Sequence, residues 1–371
     1  MKCYDINDIK TSKIKVFCHL PFTHMKINVN GDMLQCCYQG KYLGNILKQP
    51  IEEIWNSKTA REIRKVTLRN KLHPNCQEWG GCPFINADLK KTNDFYVYDN
   101  LPNSLEIDLS SKHCNIGGEN PSDDNPACIM CPRNDPEFRT HPFWETDKTL
   151  QIIEAIKPVV PILQSFSILG VSEPFWRNKI FDIFDVMEFK KYKKNINFWT
   201  YTNGSIFNET VQKKFLEYTD RSLLFFSIDA ATKETYIKIR RRDFLEIIKN
   251  NIKKYNSLRS PSTQQIQICN NINTLNVHEM KQMVELAHEV GADEVRFNPT
   301  HNGGLWDDFN KDISVNQDNI QQFIDYAEQA KERAKELGIC MLEYKKFEQT
   351  IVTLDTTRKH TTSKRDEILY I

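Results

Sequence analysis

Cys114, Cys128 and Cys131 stand close together in the stretch SLEIDLSSKHCNIGGENPSDDNPACIMC. Thiolates are soft ligands that select zinc or iron-sulfur clusters. A structural zinc ion wants four ligands. His113 is adjacent to Cys114, yet neighbouring residues seldom close on the same ion. A cubane cluster has four irons, so three thiolates from one short segment leave one iron free for something that is not protein. That open iron is where chemistry would happen.

A second group, Cys18, Cys36, Cys76 and Cys82, supplies four thiolates. Four close one [4Fe-4S] cluster, and they suit a tetrahedral structural zinc equally well. Cys37 adjoins Cys36, and in an extended strand the two side chains point opposite ways, so Cys37 is a bystander or is packed. Cys269, in the apolar run QIQIC, and Cys340, in GICML, read as small buried hydrophobes. Cys3 has no assigned role. Most of the 11 cysteines fall between Cys18 and Cys131, and in a reducing compartment such clustering favours metal over disulfides.

These sites need a scaffold, and 371 residues with 40% hydrophobic and 27% charged side chains suffice for one large domain with a smaller one appended. With 50 basic and 49 acidic residues the formal charge is +1, which gives no electrostatic footprint for nucleic acid or an anionic membrane. The N-terminal MKCYDINDIKTSKIKV is too polar for a signal peptide, and the most apolar stretch is interrupted by Lys157 and prolines. A soluble, cytoplasmic protein is expected.

From about residue 104 strand-like and helix-like segments alternate. Strands are expected at 105–109, 165–169, 197–202, 223–228, 265–269 and 294–298, separated by amphipathic stretches such as TLQIIEAIKPVV and VHEMKQMVELAHEVG. Six β/α repeats imply a parallel sheet, open or curled into a barrel. In such folds the working face lies at the C-terminal ends of the strands. Those ends carry the cysteines, then Gly170 to Pro174, Asn203-Gly204, Ser227-Ile228-Asp229, Asn270-Asn271 with Asn273, and Asn298-Pro299-Thr300. Turn chemistry explains each alone; together they suggest a polar rim facing the cluster.

Residues 1–100 differ, with short β-like pieces (KINVNGDMLQCC), one helix (IEEIWNSKTAREIRKVTL) and the Cys/Gly/Pro-rich HPNCQEWGGCPF. The expected division is a cysteine-rich α+β module at 1–100, a core at 101–305, a helix-and-strand extension at 306–356 with its long helix at 317–337, and a weakly docked polar tail at 357–371.

The leading Cys-Asn, the closing Cys-Ile-Met-Cys and the polar strand ends resemble the radical S-adenosylmethionine (radical SAM) superfamily over residues 104–300. Its members usually show CxxxCxxC after the first strand of a partial barrel of six repeats. Here thirteen residues separate Cys114 from Cys128, an insertion tolerable because loop closure entropy grows slowly with length. The resemblance implies a partial (β/α)6 parallel barrel in which the open iron chelates the amino and carboxylate groups of S-adenosylmethionine. A reduced cluster would pass an electron to the sulfonium, giving methionine and a 5'-deoxyadenosyl radical that abstracts hydrogen from an unreactive carbon. GVSEP resembles the element that holds the cofactor's amino group: Glu173 matches, while Val171 and Ser172 depart from glycine. Met130 sits where a backbone group meets adenine. Ser227 and Asp229 look like the pair near the ribose, Asn271 or Asn273 would serve on the fifth strand, and Arg240 would meet the cofactor carboxylate.

Cys18, Gly31 and Cys36 at their spacing, followed by LGNI, EEIWNS and Cys76-x5-Cys82, resemble a SPASM or twitch module. That implies an auxiliary [4Fe-4S] cluster placed before the barrel, and makes Cys36 rather than Cys37 the ligand. It also implies a peptide or protein substrate and an electron donor such as flavodoxin or ferredoxin. Two other classes compete: a zinc-stabilised binding protein, and a non-catalytic iron-sulfur electron carrier on the same scaffold.

Overall fold

The structure, a computed structural model, describes residues 11–37, 39–78, 82, 84–85, 89, 93–98, 101–108, 114–118, 121–122, 124–134, 146–300 and 312–343. Cys3, His113, most of the extension after β12 and the 357–371 tail lie outside the described residues.

Twelve strands are described: β1 (Thr11–Val16), β2 (His24–Ile27), β3 (Asp32–Leu34), β4 (Gly44–Asn45), β5 (Asn93–Tyr98), β6 (Ser104–Asp108), β7 (Ser165–Leu169), β8 (Asn197–Thr202), β9 (Ser222–Ser227), β10 (Gln264–Ile272), β11 (Glu294–Pro299) and β12 (Cys340–Glu343). β1 and β5 form an antiparallel pair, and the others make one ten-stranded sheet ordered β12-β11-β10-β9-β8-β7-β6-β2-β3-β4. From β6 to β12 every neighbouring pair is parallel. The expected mixed α/β fold with a parallel sheet is therefore present, and no pairing closes the sheet into a barrel among the described residues.

The cysteine-rich N-terminal segment does not sit apart from this sheet. β2 pairs in parallel with β6, Lys26 opposite Glu106, and the hairpin β2–β3 and strand β4 continue outward from there. Met25, Ile27, Ile54 and Trp55 belong to the same buried cluster as Leu105, Phe166 and Phe198 of the sheet. The hairpin turn is set by Gly31 at φ 83°, with Asn28 Oδ1 accepting from the backbone N–H of Asn30 and Asp32 at 2.9 and 3.0 Å. Such a positive φ suits glycine, which has no Cβ to clash.

Strand alternation decides which residues face the helices. In β8, Phe198, Thr200 and Thr202 are buried while Trp199 and Tyr201 lie on the other face. Phe198 packs with Phe184, Phe166 and Phe215 at ring separations of 5.0, 6.0 and 5.9 Å, and burying each such ring is worth about 2 kcal/mol. The single helix expected over IEEIWNSKTAREIRKVTL is instead two, Ile51–Trp55 and Lys58–Thr67. Ser57 interrupts it, because its hydroxyl accepts from Ala60 N at 3.3 Å and so caps the second helix. The long C-terminal helix spans Ile320–Leu337. Cys340, expected to be buried, is exposed at the start of edge strand β12, whereas Cys269 is 4% exposed, as expected.

Candidate metal and cofactor site

The loop after β6 returns to itself through a small set of contacts. Gly117 takes φ 78°, and a Cβ there would lie 2.8 Å from Ala127 N and 2.9 Å from Ala127 Cα. Glycine is what lets the two halves of the cysteine loop touch. Arg133 then donates from Nη1 to Ile116 O at 3.0 Å and from Nη2 to Gly118 O. Asn134 donates to Cys128 O at 2.7 Å and accepts from Ala127 N at 3.0 Å. Cys131 N donates to Cys128 O at 2.9 Å, and Ile129 N donates to Ile239 O at 2.9 Å, fastening the Cys-Ile-Met-Cys turn to the helix Lys233–Arg240. The thirteen-residue spacing is thus closed at its neck, so that Cys114 is brought back to Cys128 and Cys131.

Cys128 is buried, Cys114 and Cys131 are half-buried, and the three are mutually close. Burial pushes Cys131 up to about 12, with Cys128 and then Cys114 adding to the rise; burial, then the charge of Glu173, lifts Cys114 to about 11. Without metal Cys114 and Cys131 are neutral thiols, and ligation would release their protons. Among the described residues no three His, Cys, Asp or Glu side chains converge tightly enough to hold one metal ion. A cubane asks for a wider triangle, since each thiolate binds a different iron.

Three other strand ends meet this loop. Asn203, after β8, reaches Cys114 Sγ at 4.0 Å and Asn115 Oδ1 at 2.9 Å through Nδ2, and Asn115 donates to Ser205 Oγ at 2.7 Å. Glu173, after β7, is 3% exposed and accepts from Thr202 Oγ1 and Asn203 N, each at 2.7 Å, and from Phe175 N at 3.3 Å. Burial outweighs those donors and raises its carboxyl to about 7. Asp229, after β9, sits at φ 67° with Oδ1 accepting from Asn271 N at 2.7 Å and Oδ2 2.6 Å from Arg240 Nη2. Arg240 Nη1 lies 3.6 Å from Cys128 Sγ. Buried Glu279 holds the start of that helix, accepting from Ala231 N at 2.7 Å and Thr232 N at 3.1 Å.

Of the candidates named from sequence, Cys114, Cys128, Cys131, Glu173, Asp229 and Arg240 are brought together. Met130 is half-buried in the turn. Ser227 is half-buried at the end of β9 opposite Cys269. Asn271 is exposed at the tip region of β10, while Asn273 is buried with Oδ1 accepting from Leu275 N at 2.9 Å, which leaves Asn271 as the available one. Asn203, Asn115, Arg133 and Asn134 were not among the sequence candidates. Asn203-Gly204 reads as an ordinary turn, and the two backbone-stapling residues of CPRN carry no distinguishing signal.

The sheet face opposite the helices lies beneath this rim. At one side Lys26 Nζ is 3.2 Å from Glu106 and 4.0 Å from Asp108. Toward the centre Tyr201 stacks on Phe225 at 4.5 Å, with Arg296 5.9 Å above the same ring.

The N-terminal cysteines form a second neighbourhood. Burial raises Cys18 and Cys76 to about 11, and each is raised further by Cys82. Asn75, 5% exposed, ties the turn after Cys36 to the turn of Cys76: its carbonyl accepts from Gly40 N at 3.0 Å, and its Oδ1 accepts from Lys41 N at 2.7 Å. Cys37 is exposed rather than packed.

Comparison with known proteins agrees with that grouping. Residues 18–83 match the SPASM model, an iron-sulfur cluster-binding domain. No curated protein matches the chain. Among solved structures, Streptococcus suis SuiB bound to precursor peptide SuiA is similar with TM-score 0.46 and 12% identity over 65% of this chain and 48% of SuiB. Native anSMEcpe with bound AdoMet and Cp18Cys peptide gives 0.48 and 16% over 64% and 62%. A radical SAM methyltransferase from Sphaerobacter thermophilus gives 0.44 and 11% over 68% and 69%. These likenesses are distant, and the chain spans less than two thirds of SuiB and of anSMEcpe. No described helix is long and apolar enough to cross a membrane.

Proposed function

We propose that this chain is a radical SAM enzyme. In this reading Cys114, Cys128 and Cys131 hold a [4Fe-4S] cluster with one iron left to S-adenosylmethionine, and Cys18, Cys36, Cys76 and Cys82 hold an auxiliary [4Fe-4S] cluster. The observation that carries it is the meeting of three neighbouring thiols with Glu173, Asn203, Asp229 and Arg240 at the C-terminal ends of parallel strands. When bound, the cluster supplies the electron that cleaves the sulfonium to a hydrogen-abstracting radical.

The chain's own residues bind, orient and exclude. Glu173 Oε2 accepts one backbone N–H at 2.7 Å and keeps a lone pair for an ammonium group, which would draw its proton away. Met130 offers backbone to an adenine, and Ser227 and Asn271 offer polar side chains to a ribose. Asp229 is committed to Arg240 and to the backbone of Asn271, so its part is to shape the rim. The sheet face carrying Tyr201, Phe225 and the Lys26–Glu106–Asp108 group lies under the rim and is the proposed seat of the substrate. A peptide or protein is the proposed substrate class, as the SPASM resemblance implies, with flavodoxin or ferredoxin as donor.

The test is anaerobic reconstitution with iron and sulfide, followed by S-adenosylmethionine and a strong reductant. Brown protein that releases 5'-deoxyadenosine is expected, with release abolished in Cys131→Ala and retained in Cys82→Ala. Colourless protein that binds only zinc would show the scaffold to be a binding protein instead. Cluster-loaded protein that never cleaves the cofactor would show an electron carrier.

A further inference from the structure

Arg240 closes the helix Lys233–Arg240 and turns its guanidinium inward, where it is 8% exposed. One terminal nitrogen is spent on Asp229 Oδ2 at 2.6 Å and the other on Cys128 Sγ at 3.6 Å. A guanidinium that grips a carboxylate does so by presenting two parallel N–H groups, and here the fork is split between a carboxylate and a sulfur. Asp229 is itself held, by Asn271 N on its other oxygen at 2.7 Å, and Asn270 Oδ1 accepts from Asp229 N at 3.0 Å. The cation therefore has a fixed seat beside one cysteine of the triad. Asn203 Nδ2, at 4.0 Å from Cys114 Sγ, repeats the arrangement with a neutral donor from another strand end.

We infer that Arg240, braced by Asp229, is a positioning residue that donates to the Cys128 thiolate and raises the reduction potential of the cluster, rather than a clamp for the carboxylate of S-adenosylmethionine. This rests on the cluster proposed above for Cys114, Cys128 and Cys131. Reduction adds negative charge to a cluster, so a fixed cation and N–H donor at a ligand sulfur favours the reduced form; net charge, hydrogen bonds to sulfur and burial are the protein's levers on such potentials. In a buried site the effect is poorly screened by salt. Lysine keeps the charge but cannot reach the carboxylate and the sulfur as one planar fork.

The experiment is a potentiometric titration, followed by electron paramagnetic resonance, of the anaerobically reconstituted full chain and its Arg240→Gln and Arg240→Lys variants, with S-adenosylmethionine affinity measured on the same samples. Arg240→Gln should move the midpoint of this cluster to lower potential and Arg240→Lys should move it less. The midpoint of the auxiliary cluster should stay where it is, and cofactor affinity should change by less than about threefold. Should Arg240→Gln not load its cluster, the Arg240→Lys shift alone decides. An unchanged midpoint in the loaded variants, or a loss of cofactor affinity of roughly tenfold or more without a shift, overturns the inference and makes Arg240 a cofactor clamp. Wild-type protein that never shows a cubane signal would instead sink the proposed function itself.

Discussion

Glu173 is a carboxyl group with three donors and almost no exposure, and its burial wins: the group titrates near 7 rather than at its usual 4.5. In the unfolded chain it ionises at about the ordinary value, so between about pH 4.5 and 7 the folded state holds the proton and the unfolded state does not. Unfolding therefore releases a proton in that window, and stability falls as pH rises through it, by on the order of 3 kcal/mol in total. Denaturant unfolding of the cluster-free protein at about pH 5 and 7.5 should show this slope, and Glu173→Gln should flatten it. Gly117 makes a different prediction, because its positive φ and the backbone of Ala127 both exclude a side chain. Gly117→Ala should cost about 1–3 kcal/mol locally by opening the neck of the loop, read as lower iron content at the three-cysteine site with the N-terminal site still loaded. At this scale the proposed ligands are legible as candidates, since cysteine spacing is a local fact of the sequence, and so are Glu173 and Asp229 as punctuation at strand ends. Arg133, Asn134 and Asn115 are not, because each acts through partners that only the folded loop brings near.

Elements tell the same story with a different cause. Strands β6 to β11 fall within a few residues of the positions expected from alternation and spacing, because each is bounded by turn chemistry that is visible one residue at a time. The helix over 51–68 was misread, since its apolar period runs unbroken across Ser57 and only the cap at Ala60 N reveals the division. Ser57→Ala should remove about 1 kcal/mol from the stability of the N-terminal segment, measurable by chemical denaturation. Asn75 is the more consequential residue of that segment, joining the turn beyond Cys36 to the Cys76 turn. With Asn75→Ala the side-chain bonds to Lys41 go while the backbone bond to Gly40 stays, and iron should be lost from the N-terminal site faster on exposure to a chelator while the three-cysteine site keeps its own.

At the level of the whole molecule, what could not be read in advance is that β2 joins β6. The pairing is parallel and joins residues 80 apart, His24 beside Ser104, so no short-range pattern announces it. The consequence for stability is direct. Removing residues before 101 would bare the backbone edge of β6 and uncover Leu105 and Ile107, now buried. An unpaired strand edge of that kind templates association. The truncated chain is expected to elute as aggregate on gel filtration, whereas the full chain should not.

That junction also bears on communication between the two groups of cysteines. The strand that runs between Cys18 and Cys36 of the N-terminal group lies hydrogen-bonded against the strand that leads into the other group, Met25 beside Leu105 and Ile27 beside Ile107, with one apolar core behind both. Among the described residues β2 and β6 are joined directly by backbone pairing, which resists opening or closing of these two strands against each other. Any traffic of electrons between the two ends would run over a distance set once, when the chain folds.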